Sequence, residues 1–125
     1  MAYMDKYRTS KEWANLAYEE KEYNIAINRY YYSLFQKILY ELGTKSVNVS
    51  YNKHQDSHNR TSALYVENFI DGVGKKDAFK IKTKFNSDFT QLKSLRHIAD
   101  YQDRHITLKE AQGGKRAYMD LDNIV

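Results

Sequence analysis

The densest group of chemically active side chains is the stretch RHIADYQDRH, which runs from Arg96 to His105. It holds two arginines, two histidines, two aspartates and a tyrosine within ten residues. Cleavage of RNA without a metal ion needs a base for the 2′-hydroxyl proton, an acid for the leaving oxygen and a cation for the charge on phosphorus. Histidine and arginine meet those needs. The same residues are also typical of a solvated helix end, so both interpretations stay open.

Arg96 and Asp100 are spaced to lie on one edge of a helix. Residues advance about 100° around an α-helix, so Arg96 projects beside the apolar Leu92 and Asp100 follows one turn later. A guanidinium at the edge of an apolar stripe is partly desolvated, and the Asp100 carboxylate is its nearest candidate partner. Two roles carry equal weight: a structural ion pair between helices, and an arginine held to bind a phosphate with its planar fork.

A second set of side chains is predicted to face away from the core. By their four- and three-residue spacing, His97, Tyr101 and Arg104 form a basic, aromatic stripe that can stack bases or contact phosphates. On an earlier predicted helix, Arg29 lies nearly opposite the core stripe and Tyr32 follows three residues later. Each of these residues also fits an ordinary solvated helix surface.

Helices must position all of these residues. The apolar spacing predicts a first helix that is capped by Thr9 or Ser10, has Trp13, Leu16 and Ala17 or Glu20 at helical spacing, and reaches about Glu22. Further helices and the residues that mark their ends follow from apolar stripes and capping signals. They are predicted from about Asn24 to Leu42 with Gly43 past the end, from Ser57 or Asn59 to Asp71–Gly74, from about Lys75 to Gln102, and from the Thr107–Glu110 capping box onward with a break or kink at Gly113–Gly114.

The predicted core faces share helical spacing. They consist of Ile27, Tyr31, Leu34, Phe35, Ile38, Leu39 and Leu42 in the second helix, Ala63 or Leu64, Val66, Phe69 and Ile70 in the third, and Ala78, Ile81, Phe85, Phe89, Leu92, Leu95 and Ala99 in the fourth. Residues 44–57 are predicted to form a loop.

The composition narrows the class of protein. The 125 residues contain no cysteine, which excludes a disulfide framework, a thiolate zinc site and a cysteine nucleophile within them. No apolar run approaches the roughly 20 residues of a membrane span, and the first residues lack the apolar segment of a secretory signal. We therefore expect one domain over residues 1–125, in the cytoplasm. The net charge of +4 attracts phosphates, and twelve tyrosines supply rings for a core, an interface or a base-stacking surface.

His54 and His58 have a spacing that zinc-binding helices use. They fall in the predicted loop, and no third ligand is evident in the sequence. Solvated histidines are favoured, and we expect no metal and no other cofactor.

Two segments together carry a family resemblance. AINRYYYSLF, from Ala26 to Phe35, and LRHIADYQD, from Leu95 to Asp103, resemble the small stand-alone branch of HEPN-domain proteins. Members of that branch have an "AINRAYYAMF"-like helix and a later "LR-x-x-ADY" segment. The resemblance implies an all-α, up-and-down bundle of about five helices, commonly a homodimer, with RNA cleavage or nucleotide binding at the dimer cleft. Many such proteins are ribonuclease toxins or act in phage defence, often beside a small nucleotidyltransferase-like partner.

The catalytic pattern of the family is an arginine followed, after four to six residues, by a histidine. Counted from Arg96, those positions hold tyrosine, glutamine and aspartate, so the pattern is absent as written. His105 would lie on the opposite side of a continuous helix, and His97 points about 100° away from Arg96. A composite site with His58, or with a histidine of a second subunit, remains open. Whether the chain is an enzyme is therefore left undecided.

Two functions follow as expectations. In the first, a HEPN-like dimer binds RNA or a nucleotide in a cleft lined by Arg96, Asp100 and Tyr101, with Arg29 and His58 as further candidates, and cleaves RNA without a metal. In the second, a non-catalytic helical module pairs with a partner protein, and Arg96 with Asp100 is a structural clasp.

Overall fold

The computed structural model describes residues 2–47, 49, 57–71 and 77–125, which form a helical bundle. Within these ranges there are helices and no strand, so the all-α prediction is confirmed. The helices are α1 (Ala2–Glu19), α2 (Tyr23–Thr44), α3 (Ser57–Tyr65) with a π-helical continuation (Val66–Ile70), α4 (Ala78–Tyr101) and α5 (Leu108–Ile124). No helix in the described ranges is long and apolar enough to cross a membrane.

Helix α2 lies at the centre of the bundle and contacts α1, α3, α4 and α5. The sequence predicts its core face well, because a helix packed on several sides has a wide apolar stripe. Of the predicted positions, Phe35 and Leu39 are half-buried and the rest are buried: Ile27, Tyr31, Leu34, Ile38 and Leu42.

The predicted stripe of α4 is also confirmed in its central part. Phe85, Phe89, Leu92 and Leu95 are buried, and the outer members of the stripe are half-buried. The ring of Phe85 stacks between Phe89 and Tyr65, with centroid distances of 5.9 and 5.2 Å. This aromatic row joins α4 to α3, whose predicted Leu64, Val66 and Ile70 are likewise buried.

Helix α1 differs from its prediction in both start and buried face. It begins at Ala2, so neither Thr9 nor Ser10 is a cap. Trp13 and Leu16 are 54% and 58% exposed, and the buried face consists of Tyr7, Ala14 and Ala17. The prediction was right for Ala17 and wrong for Trp13 and Leu16, because it gave the core to the largest apolar side chains, whereas two alanines let the backbone of α1 lie close to α2.

The predictions of a helix end at Gly43 and of a break at Gly113–Gly114 were wrong. Gly43 lies inside α2, which ends at Thr44, and α5 runs through Gly113 and Gly114 without a break. Gly114 is buried, and a Cβ there would overlap Ile27 Cδ1 and lie 3.1 Å from Leu95 Cδ1. A glycine at this position therefore serves close helix packing, which outweighs its low helix propensity.

The start of α5 is confirmed. Thr107 Oγ1 accepts a hydrogen bond from the Glu110 amide at 3.1 Å, and Glu110 Oε1 accepts one from the Thr107 amide at 3.0 Å. This capping box satisfies two backbone donors of the first turn. The predicted turn at Gly72–Gly74, His54 and most of the loop over residues 44–57 lie outside the described residues.

The opposite end of α5 is fixed by a polar cluster around Asp122. Its carboxylate accepts hydrogen bonds from the Tyr7 hydroxyl and the Lys11 ammonium at 2.8 and 2.9 Å, and from Lys37 at 2.9 Å. Burial raises the pKa of Asp122, but these donors favour the charged form and the pKa is lowered overall. The cluster ties α1, α2 and α5 together.

Candidate functional site

The candidate site is built around Arg96 in the last turns of α4. The apolar stripe of α4 turns this residue toward α2, so its side chain is only 12% exposed. The guanidinium carbon lies 5.4 Å from each of three ring centres, those of Tyr31, Tyr32 and Tyr101. Aromatic faces attract a cation through their negative potential, so three tyrosines hold this buried charge.

The polar contacts of Arg96 differ between its nitrogens. Nε lies 3.0 Å from Asp100 Oδ2 and forms an ion pair, although its hydrogen makes no directed hydrogen bond within the described part of the chain. Nη2 donates to the Tyr32 hydroxyl at 2.9 Å and, more weakly, to the Tyr101 hydroxyl at 3.4 Å. Nε therefore faces a carboxylate, and Nη2 faces neutral hydroxyls.

Burial disfavours the charged form of Arg96, but the contacts with Tyr32, Tyr101 and Asp100 favour it. The net effect raises the pKa of Arg96 above its ordinary value. The site therefore contains a permanent positive charge.

Asn28 is a site residue that sequence reasoning missed. Its amide nitrogen donates to both Asp100 oxygens, at 3.0 and 3.2 Å, and so links α2 to α4. Asn28 and Tyr32 are four residues apart and therefore lie on one face of α2. That spacing, inside the AINRYYYSLF segment, is the signal that could have identified Asn28.

His58 lies close to the site, as a catalytic residue there must, and it is linked to Arg96 through Tyr31. The Tyr31 hydroxyl and His58 Nδ1 are hydrogen-bonded at 2.5 Å, and the imidazole lies 4.6 Å from the Phe35 ring. Because the ring of Tyr31 also contacts Arg96, one tyrosine joins the imidazole and the guanidinium.

His97 lies on the outer side of Tyr101, with 5.2 Å between the two ring centres. It lines a shallow groove of about 610 Å³ on the outer face of α4 together with Asn59, Thr90, Lys93, Ser94, Ile98 and Gln102. The predicted neighbourhood of His97 and Tyr101 is therefore confirmed.

Arg104 does not extend that stripe, so this part of the prediction was wrong. Helix α4 ends at Tyr101, and Gln102 adopts an extended backbone with ψ of 149°. Arg104 instead donates to both oxygens of Glu110 at 2.8 Å, and Arg104 together with the Thr107 contacts lowers the pKa of Glu110 to about 2. Arg104 would share a face with His97 and Tyr101 only if helical geometry continued beyond the end of α4.

Arg29 contacts a different part of the surface. Its guanidinium lies 5.2 Å from the Trp13 ring on α1, which adds a cation–π contact between the two helices. Tyr32 is less than one turn away on α2, and its hydroxyl binds Arg96. Of this predicted pair, Tyr32 therefore contacts the Arg96 site and Arg29 contacts the exposed tryptophan.

Comparisons with protein-family models, with curated proteins and with solved structures find no match to this chain. In the described ranges, no group of three or more histidine, aspartate or glutamate side chains is arranged to hold a metal ion. The geometry of the site itself is therefore the basis for inferring its function.

Proposed function

We propose that this chain is a HEPN-like helical protein that binds RNA or a nucleotide by a phosphate group at Arg96. The observation that supports this most is that the terminal nitrogen Nη2 of the guanidinium donates to tyrosine hydroxyls. A phosphate oxygen carries negative charge and accepts a stronger hydrogen bond than a phenol does. A phosphate can therefore replace the long Tyr101 contact while Asp100 keeps its hold on Nε.

The surroundings of Arg96 support the same proposal. Tyr101 is 65% exposed, so a base next to the bound phosphate can stack on its ring. The net charge of +4 favours approach of a polyanion. Because Arg96 is already held from one side, little of its side-chain freedom is lost when it binds a ligand.

Cleavage of the bound RNA is the further chemistry that we propose for the site. Arg96 would stabilise the charge on phosphorus, and His97, whose ring contacts Tyr101, is the candidate base on the exposed side. As the 2′-oxygen bonds to phosphorus, the bond from phosphorus to the 5′-oxygen breaks, and His58, bonded to Tyr31, is the candidate acid that protonates this leaving oxygen.

Binding and cleavage can be tested in one experiment. Labelled single-stranded RNA is incubated in EDTA with the wild type, with Arg96→Ala and with Arg104→Ala as a matched control, because the Arg104 fork is held by Glu110. We expect Arg96→Ala to weaken binding at least about tenfold and Arg104→Ala to leave it within about twofold. Products with 2′,3′-cyclic phosphate ends in the wild-type and Arg104→Ala samples, and not in the Arg96→Ala sample, would support cleavage. Equal binding by the wild type and Arg96→Ala would rule out the site.

A second candidate function, a helical interaction module, is favoured by a separate observation. Trp13, Leu16 and Ile25 are all more than half exposed on the adjacent helices α1 and α2, and Arg29 covers part of the tryptophan. Exposed apolar groups that cluster in this way are typical of protein contacts. The proposed occupant is a second copy of the chain, and a nucleotidyltransferase-like protein is the alternative partner.

The oligomeric state tests this second candidate. Light scattering should give a dimer for the wild type and a monomer for Leu16→Glu, because a carboxylate at the centre of the contact would be buried without a partner. Glu12→Gln, a change to an exposed neighbouring residue of α1, serves as the control and should stay dimeric. A monomeric wild type would argue against the homodimer. If the ion pair between Arg96 and Asp100 is only structural, Arg96→Ala should lower the Tm of the protein without changing its RNA affinity.

A further inference from the structure

The groove on the outer face of α4 begins next to the Arg96 site. Its polar lining comes from Asn59, Lys93, Ser94, His97 and Gln102. These side chains present an ammonium, two amides, a hydroxyl and an imidazole, which are groups that contact phosphates and sugars in nucleic-acid complexes. The groove therefore has the chemistry of a second subsite on the same helix as Arg96.

Tyr101 belongs to both subsites. Its hydroxyl lies 3.4 Å from Arg96 Nη2, and its ring centre lies 5.2 Å from that of His97, which lines the groove. Tyr101 as a whole residue is 65% exposed. A flat, exposed ring between two groups that can contact phosphates is the arrangement that proteins use to stack one base of a single strand.

We infer that the ligand of this site is a single strand of at least two linked nucleotides, with one phosphate at Arg96, one base on Tyr101 and the next phosphate in the groove at His97. This inference rests on the proposed phosphate site at Arg96. A mononucleotide can supply the phosphate at Arg96 and the base on Tyr101, but it leaves the groove at His97 empty. A duplex would not fit, because its bases are paired and stacked on one another and are not available to Tyr101.

The test compares ligands of different length on the same protein. Calorimetry gives the affinities for uridine 5′-monophosphate, for a ten-nucleotide oligouridylate and for a duplex RNA of the same length. We expect the single strand to bind at least about tenfold more tightly than the mononucleotide and the duplex, because stacking and a second phosphate contact add to the first.

Variants of Tyr101 and His97 test the stacking and the groove separately. In Tyr101→Ala the preference for the strand over the duplex should fall at least about fivefold, and Tyr101→Phe should keep most of it because the ring remains. His97→Gln should reduce the preference for the strand over the mononucleotide, since the groove loses its imidazole. Tyr3→Ala, which removes an exposed tyrosine from α1, is the matched control and should leave both preferences unchanged.

The possible failures are distinguishable. If the wild type binds none of the three ligands, the proposed phosphate site is wrong and this inference is wrong with it. If the wild type binds the mononucleotide and the strand equally, or binds the duplex as tightly as the strand, the site at Arg96 stands and the two-subsite ligand is overturned. A preference for the strand over the duplex that survives in Tyr101→Ala, or a preference for the strand over the mononucleotide that survives in His97→Gln, would overturn it as well.

Discussion

Arg96 and Arg104 lie near the same end of α4 and hold their guanidinium groups in different ways. Arg104 is 44% exposed, and its two terminal nitrogens donate to the two oxygens of Glu110 at 2.8 Å. Arg96 is 12% exposed, pairs with Asp100 through Nε and donates through Nη2 to the hydroxyls of two tyrosines. The more exposed Arg104 is paired with a carboxylate through both terminal nitrogens, whereas the less exposed Arg96 donates from Nη2 to neutral hydroxyls.

The comparison teaches that exposure by itself does not identify a binding arginine. A guanidinium that already donates to both oxygens of a carboxylate binds a phosphate weakly, because a strong charged pair must break first. A fork that meets phenols can exchange weak acceptors for a charged one. The stretch between Arg96 and His105 thus divides into a candidate binding region on α4 and a structural link to α5.

The largest expected effect tests how α5 supports the region around Arg96. Gly114 of α5 packs against Ile27 and Leu95, which directly precede Asn28 and Arg96. In Gly114→Ala the new methyl group must displace packed side chains, so we expect the free energy of unfolding to fall by about 2 kcal/mol. Denaturant unfolding measures this change.

Gly43→Ala is the matched control for that change. Nothing lies within 4 Å of a Cβ at Gly43, so alanine should keep the stability or raise it by about 0.5 to 1 kcal/mol. A loss of stability at Gly43 as large as that at Gly114 would contradict the close-packing explanation.

The next effect separates the shape of the arginine side chain from its charge. Arg96→Lys keeps a cation but removes the planar fork, so we expect RNA affinity to fall about tenfold, or about 1.4 kcal/mol. Arg104→Lys should change RNA affinity less than about twofold. Fluorescence anisotropy measures both affinities. If the two lysine variants bind RNA equally well, the distinction between the two arginines does not hold.

A smaller effect concerns Asn28, which donates to both oxygens of Asp100. Without that amide, Asp100 is free to move and Arg96 is less well held, so Asn28→Ala should weaken RNA binding about threefold, close to the value of one hydrogen bond. Asn68→Ala removes an amide that binds the Leu64 carbonyl elsewhere in the bundle and should leave affinity unchanged. Equal affinities of the wild type and Asn28→Ala would show that Asp100 needs no support.

The smallest effect is a pH dependence on the Arg104 side. Glu110 has a pKa of about 2 against an ordinary 4.5, so its charged form contributes stability that is complete above about pH 4.5 and is lost as the pH falls through 2. The Tm difference between the wild type and Glu110→Gln should therefore shrink between pH 5 and pH 2. The same difference measured for Glu12→Gln, whose carboxylate is on exposed α1 surface, should stay near zero. A constant difference for Glu110→Gln would contradict the role of the carboxylate.

The parts of the fold that the sequence predicts are those where local pattern and burial agree. The wide apolar stripes of α2 and α4 and the capping box of α5 are local signals, and each is confirmed. The errors lie where a partner helix decides. Trp13 is exposed because the small Ala14 and Ala17 set the distance between α1 and α2, and Gly114 stays helical because Ile27 and Leu95 occupy the space beside it.

The candidate site divides in the same way. The ion pair between Arg96 and Asp100 was predictable because both residues lie one turn apart on one helix. The contact of Arg96 with Tyr32 and the support of Asp100 by Asn28 join residues of α2 to α4, far apart in the sequence. Arg104 was placed wrongly on the stripe of His97 and Tyr101 because helical spacing was counted past the end of α4, which was predicted at about Gln102 and lies at Tyr101.

The sequence by itself determined the helical class, the central position of apolar α2 residues and the charged character of the stretch after Leu95, because helix periodicity and side-chain chemistry are properties of local sequence. Only the tertiary structure decided which of the two arginines faces phenols and which faces a carboxylate. That choice depends on where α2 and the first turn of α5 meet the end of α4. Those contacts depend on close packing between helices, which the sequence of a single segment does not determine.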